Sequence, residues 1–184
     1  MKKLKVLKMS NNLSNELFTE LTIDEKEKFN GYCIHVTDLL KSEYDNDPEQ
    51  SALIRGKLYH FAIENLLKRL EEKGKLKILE MENSRKLTYN VRNKDFPLCF
   101  TPDAVIQFND KTVLLEIKST VKSRDYAILQ TSIYKYLLET FYNYKIDQCL
   151  LITGDLQTYK LVCDSETGKQ ILDDRLGNSL LLFM

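Results

Sequence analysis

Apolar and polar residues recur with two different periods along this chain, and the change of period marks out its elements. From Ser51 to Glu72 the side chains of Tyr59, Ala62, Ile63, Leu66 and Leu70 return at helical spacing, which predicts a long helix packed on a sheet and stopped by Gly74. Leu87, Tyr89 and Val91 alternate within Lys86–Arg92 and predict a strand. Thr101–Phe108 is rich in β-branched and aromatic residues, Asn109-Asp110-Lys111 is turn material, and Thr112–Ile117 is mostly apolar; together they read as two strands joined by a tight turn. Asp125–Asn143 predicts a second strong helix, with Leu129, Ile133, Tyr136, Leu137 and Phe141 as packing positions. Cys149–Thr153 is a continuous apolar strand, Gly154-Asp155 a turn, Thr158–Val162 its hairpin partner, and Ser165 to about Leu176 a last helix.

The pattern is weaker at the two ends. The first twenty residues, rich in Lys and Asn, predict a short strand or a loosely held arm. Thr22 with Glu25 reads as a capping box opening a short helix through about Phe29, closed by Asn30-Gly31. His35–Leu40 suggests another short helix capped by Thr37, and Glu43–Gln50 a loop. Leu180–Met184 is too apolar for a free end and is expected to pack on the core or on another subunit. Helices, a long helix, three strands, a helix, two strands and a helix, in that order, fit an α/β domain spanning 1–184. Its expected core is a central mixed sheet of about five strands with helices on both faces.

Composition narrows the choice of partners. Lys+Arg and Asp+Glu balance at 27 each, so any polyanion must be held by a local patch or through metal ions rather than by an overall basic field. No apolar run reaches the length of a bilayer-spanning helix and no signal-peptide core follows the N-terminal lysines, which predicts a soluble intracellular protein. Cys33, Cys99, Cys149 and Cys163 are scattered without a C-x-x-C pair; the expectation is four thiols in a reducing compartment and no zinc or iron–sulfur site.

Against this background a few ionisable residues intrude on apolar patterns. Glu116 and Lys118 are two apart, so a strand places both on one face, and the neighbouring strand can bring Asp103 to it. Two carboxylates held about 4 Å apart repel by ~4 kcal/mol at an effective dielectric near 20, so such a pair implies a shared proton or a cation. A hard divalent ion with oxygen ligands, Mg²⁺ or Mn²⁺, suits it. An isolated E-x-K is otherwise an ordinary solvent-facing strand pair; its neighbours make it specific.

Read in order, the intruding residues are His60, Pro102-Asp103, Glu116-Ile117-Lys118, then Gln130 and Tyr134. This series resembles the PD-(D/E)XK nuclease superfamily, whose core is a Pro-Asp and an (Asp/Glu)-x-Lys on adjacent strands; here the two acids are thirteen positions apart. The G-x-x-x-H of Gly56–His60 and the Q-x-x-x-Y of Gln130–Tyr134 look like its RecB-like branch. That branch includes the RecB nuclease domain, lambda exonuclease and the CRISPR-associated RecB-like exonucleases. The resemblance covers roughly Gly56 to Glu139 and implies a restriction-endonuclease-like core.

It also implies a site. His60, Asp103, Glu116 and the backbone carbonyl of Ile117 would bind one or two Mg²⁺ or Mn²⁺ ions, and Lys118 would orient or deprotonate the attacking water or stabilise the developing charge. Gln130 and Tyr134 would hold Lys118 or the scissile phosphate. Glu64 is either a ligand to a second metal or a surface carboxylate; Lys122 and Arg124 are candidates for a DNA phosphate, or solvated loop residues. Iron–sulfur members of the branch carry a Cys soon after the early helix and three more near the C-terminus. Here the early position holds Tyr44-Asp45-Asn46-Asp47, so no cluster is expected.

The expected activity is metal-dependent hydrolysis of DNA phosphodiesters in replication, recombination or repair, by an exonuclease or a single-strand- or flap-processing enzyme. The alternatives are a dimeric endonuclease of the Holliday-junction-resolvase kind, for which the apolar tail could form an interface, and a non-catalytic nucleic-acid-binding protein on the same fold. A site used on RNA stays open. No G-x-x-x-x-G-K-[ST] is present, so a helicase motor would be a separate chain.

Overall fold

The computed structural model describes residues 33–40, 50–119, 124–154 and 157–181. The expected helix at Thr22–Phe29, the N-terminal arm, residues 43–49 of the expected loop Glu43–Gln50, Lys122, Asp155 and the tail residues 182–184 lie outside them, while Gln50 already belongs to a helix. In chain order the elements are β1 (Ile34–His35), α1 (Val36–Leu40), α2 (Gln50–Glu72), β2 (Lys77–Met81), β3 (Arg85–Val91), β4 (Lys94–Phe100), β5 (Ala104–Phe108), β6 (Lys111–Lys118), α3 (Arg124–Phe141), β7 (Gln148–Thr153), β8 (Thr158–Leu161) and α4 (Ser165–Leu181).

Five strands form the expected mixed sheet in the order β2-β5-β6-β7-β8. Only β6 and β7 run parallel, as their connection through α3 requires; the other neighbours are antiparallel. Alternation along β6 divides the core. Val113, Leu115 and Ile117 pack with Ile63 and Leu67 of α2, whereas Leu114 joins Ile133, Leu137 and Leu138 of α3 on the other face. Asn109 and Asp110, both at positive φ (48° and 59°), make the two-residue turn between β5 and β6, so Lys111 belongs to the strand rather than to the turn.

The structure corrects the sequence reading in several places. A second sheet, β1-β4-β3, was not anticipated. β4 contains Pro97, which argues against a central strand, yet β1 touches it only at Leu98 and Cys99, so Pro97 lies on a free edge. What reads as one strand over Thr101–Phe108 begins only at Ala104. β2 was missed because Glu80 breaks its apolar pattern; the carboxylate is buried and bonded to Arg85 Nε at 2.9 Å, with Tyr144 donating to it at 3.0 Å. The packing face of α2 is also narrower than its periodicity suggests: Ile63 and Leu67 are buried, while Ala62 and Leu66 face outward beside Leu58 and Phe61. Helix α2 ends on Gly74 (φ 66°), whose N–H reaches Glu71 O at 2.8 Å while Lys75 N–H reaches Leu70 O at 2.9 Å. Helix α3 is covered nearly all round, with Thr131 and Ser132 as buried as Ile133, although Phe141 is half exposed. Nor are all four cysteines thiols. Cys33 and Cys99 are joined in a disulfide with Cα atoms 5.6 Å apart, because β1 lies beside β4 and sets His35 opposite Cys99. Cys149 and Cys163 are free. No helix among the described residues is long and apolar enough to cross a membrane.

Candidate active site

The site is built on an unequal pair of strands. β5 begins at Ala104, which pairs with Leu115, so Glu116, Ile117 and Lys118 extend past their neighbour on that side while still pairing with β7 on the other. Asp103 occupies the gap this leaves: its Oδ2 accepts a hydrogen bond from Ile117 N at 2.6 Å. In extended backbone a residue's N–H and C=O point to the same edge, so the Ile117 carbonyl faces the gap as well. Alternation sends Glu116 and Lys118 to the α3 face. His60 arrives from α2, its Nδ1 3.6 Å from Asp103 Oδ1 and 3.9 Å from Glu82 Oε1. From α3, Gln130 Oε1 accepts a hydrogen bond from Lys118 Nζ at 3.2 Å, and Gln130 Nε2 donates to Tyr134 Oη at 3.0 Å. Gln130 and Tyr134 are both buried, so this chain fixes the lysine from below.

Glu116 is the most confined member. Its side chain is 1 % exposed, and Lys118 Nζ lies 2.6 Å from Oε1. That ion pair is the one polar support of Oε1 among the described residues, and the other oxygen, Oε2, accepts no hydrogen bond from them. Burial pushes the Glu116 carboxyl up to about 8, helped by the charge of Asp103 and opposed by Lys118. Burial likewise raises Asp103, to about 6, against the pull of the Ile117 N–H and the Lys118 ammonium. Burial on its own would lower Lys118, but the Glu116 carboxylate and then Asp103 outweigh it and hold the ammonium above its ordinary value. Tyr134 is raised by burial and then by the Glu116 charge, and so stays a neutral phenol.

Such a donor set fits a hard cation. One imidazole, one carboxylate and a backbone carbonyl meet at the gap, a second carboxylate, Glu116, lies close enough to feel Asp103 and His60, and its buried Oε2 has no hydrogen-bond donor among the described residues. His60, Asp103 and Glu116 do not yet close to within 4.8 Å of one another; among the described residues the group that does is Cys33, His35 and Cys99. Glu116 leans on Lys118 instead, so taking up a cation means exchanging the ammonium for the ion.

Of the other residues singled out in the sequence, Glu64 sits at the mouth. Burial raises its carboxyl, followed by the charge of Glu82 and a hydrogen bond shared with it. Arg124 opens helix α3. Two neighbours were missed. Glu82 follows β2 at positive φ (44°), and its N–H reaches Asp103 O at 3.0 Å; nothing in Glu82-Asn83-Ser84 marks it out from a surface turn. The ring of Tyr126 lies 5.7 Å from Lys118 Nζ, and its hydroxyl donates to Thr37 O at 3.2 Å, tying α1 to the site.

Two glycines near Ser119 have opposite importance. A Cβ on Gly154 would lie 2.2 Å from Ser119 O, just past the paired ends of β6 and β7. Gly154→Ala should therefore displace the strand carrying Lys118 and cost about 2–3 kcal/mol, measured by denaturant unfolding. A Cβ on Gly56 would meet nothing nearer than Ser119 Oγ at 3.9 Å, ordinary contact. Gly56→Ala should thus gain close to 1 kcal/mol of helix propensity and raise the melting temperature by roughly 2–4 °C. Activity lost in that stabilised variant would assign the glycine to substrate approach rather than to helix packing.

No protein-family model matches the chain, and no curated protein matches it. Among solved structures it is similar to that of SSO0001, with a TM-score of 0.54 and 19 % identity over 91 % of this chain and 86 % of that one, a likeness of fold.

Proposed function

We propose that the chain is a metal-dependent nuclease that hydrolyses DNA phosphodiesters, with His60, Asp103, Glu116 and the Ile117 carbonyl holding Mg²⁺ or Mn²⁺. The observation that carries this reading is the buried Glu116 carboxylate, supported only by the Lys118 ammonium among the described residues and close to Asp103 and His60 at a break in the sheet. A divalent cation bound there would lower the pKa of a water and neutralise charge on the phosphate. The protein's own residues do the rest. Asp103 is held in the plane of the sheet by Ile117 N–H, and His60 closes the α2 side. Lys118, fixed by Gln130 and Tyr134, presents an ammonium to the attacking water or to a phosphate oxygen. Processing of ends, single strands or flaps is favoured over junction resolution, on the resemblance of the helix motifs.

The test is incubation of end-labelled single-stranded, duplex, flapped and four-way-junction DNA with Mg²⁺, with Mn²⁺ and with chelator, beside Asp103→Ala as a control for contaminating nucleases. Products that need the metal and Asp103 are expected, mononucleotides for an exonuclease. Discrete internal cuts on the junction would mean a resolvase instead. DNA binding without cleavage under any metal would sink the enzymatic reading and leave a binding protein.

A further inference from the structure

Away from the gap in the large sheet, the small sheet gathers a second set of donors of different chemistry. Cys33 and His35 are two apart where the chain enters β1, so extended backbone sends both side chains to one side. Parallel pairing places Cys99 of β4 opposite His35. One ligand atom from each of the three lies within 4.8 Å of the other two. Cys99 is buried, Cys33 half-buried and His35 exposed, so the cluster is anchored at its base and open at the imidazole.

We propose that Cys33, His35 and Cys99 form a Zn²⁺ site in the thiol state of this chain, and that the disulfide between the two cysteines is the oxidised, metal-free state of that same site. Two thiolates and an imidazole are the donors zinc selects, whereas Mg²⁺ and Mn²⁺ prefer the oxygen-rich gap. The spacing agrees: tetrahedral Zn–S bonds of about 2.3 Å put two sulfur ligands about 3.8 Å apart, and Zn–N bonds are slightly shorter. A Cα separation of 5.6 Å lies within the span a disulfide uses, and side-chain rotation alone is enough to part the sulfurs to the zinc-bound distance. Three protein donors leave the fourth position to water. The spacing C-x-H followed by a Cys 66 positions beyond Cys33 is unreadable in the sequence because β1 and β4 must first be paired.

Oxidation balances with a small disulfide such as oxidised glutathione. The two zinc-bound thiolates give up two electrons and form the Cys33–Cys99 bond; the glutathione S–S bond breaks, takes those electrons and two protons to become two thiols, and Zn²⁺ is released. Disulfide and metal are therefore mutually exclusive at this site.

The experiment uses the full chain, reduced and stripped of metal, titrated with Co²⁺ as a spectroscopic stand-in for Zn²⁺. One equivalent should produce thiolate-to-cobalt charge-transfer absorption with tetrahedral d–d bands, and Zn²⁺ should abolish both by displacement. The bands should survive Asp103→Ala, vanish in Cys33→Ser and Cys99→Ser, and need roughly 10-fold or more Co²⁺ in His35→Ala, an exposed substitution that leaves the fold intact. Oxidised glutathione should release one metal per chain while the Cys33–Cys99 peptide pair appears by mass spectrometry. Absence of the bands in reduced wild-type protein with native circular dichroism would overturn the proposal. So would bands that persist without Cys33 and Cys99 but disappear in Cys149→Ser/Cys163→Ser, or bands indifferent to His35→Ala.

Discussion

The metal-free protein should lose stability as the pH rises from about 5 to about 8, and millimolar Mg²⁺ or Mn²⁺ should restore it. Two carboxyls titrate higher in the folded chain than in the unfolded one. Glu116 is raised to about 8 by burial and by Asp103, and Asp103 to about 6 by burial. A group shifted upward in this way keeps its proton on folding, so the folded state binds more protons than the unfolded chain between the two pKa values. Stability is then greatest below the unfolded value and declines as the pH climbs through the folded one. The opposite contribution comes from Glu139, which is held low despite its burial by Lys135, Ser165 and the Ile146 N–H; its share is lost on acidification. The combination gives an optimum on the acid side of neutrality and a fall of roughly 5–10 °C in melting temperature towards pH 8. A cation in the gap reverses the fall, since it compensates the ionised pair; at a hundred times its dissociation constant it adds ~2.7 kcal/mol. Glu116→Gln removes the larger titration, so its melting temperature should vary much less with pH and gain little from the metal. A wild-type melting temperature that climbs steadily between pH 5 and 8 without metal would show that the gap does not hold strained carboxylates.

How much of this was legible beforehand depends on how local the signal is. Asp103, Glu116 and Lys118 could be picked out because charged residues interrupt apolar strands within a few positions of a tight turn, and a two-residue spacing fixes the face in any strand. His60, Gln130 and Tyr134 were legible only as partners of those acids, through the ordered series that they complete. Glu82 carries no such mark: it reaches the site because β2 pairs with β5 and because the backbone turns at positive φ, and both are consequences of tertiary structure. Pro97 and Glu80 misdirected the strand assignments for related reasons. Each breaks a local rule and is rescued from a distance, Pro97 by the shortness of β1 and Glu80 by Arg85 and Tyr144. The disulfide depends on the same unanticipated sheet. Misplaced helix faces have one cause too: α2 is covered on a narrow stripe and α3 on most of its circumference, and an apolar period counts candidates for burial without knowing how many neighbours will arrive.

Lys118→Met should slow cleavage at least ~100-fold while tightening metal binding, two effects of opposite sign from one substitution. The loss follows from position: the ammonium is bonded to the buried Gln130–Tyr134 chain and lies 2.6 Å from Glu116 Oε1, where it can hand on a proton or meet developing charge. Removing a positioned acid–base or electrostatic group of this kind costs about 10²–10⁴ in rate. The gain in affinity follows from competition. In the metal-free site Lys118 is the counter-ion of Glu116, and the cation must displace it; methionine fills a similar volume without that claim. Glu116 and Asp103 are then left facing each other with no ammonium between them, which makes the vacant pair more costly to ionise and the bound ion more strongly held. Calorimetric titration with Mn²⁺ gives the affinity, and single-turnover cleavage at saturating metal gives the rate. Lys118→Arg sharpens the comparison, because it keeps the charge but not the compact ammonium: its metal affinity should stay near that of the wild type, and its rate should fall. Weaker metal binding in Lys118→Met would mean that the lysine organises the acids for the ion rather than standing in for it.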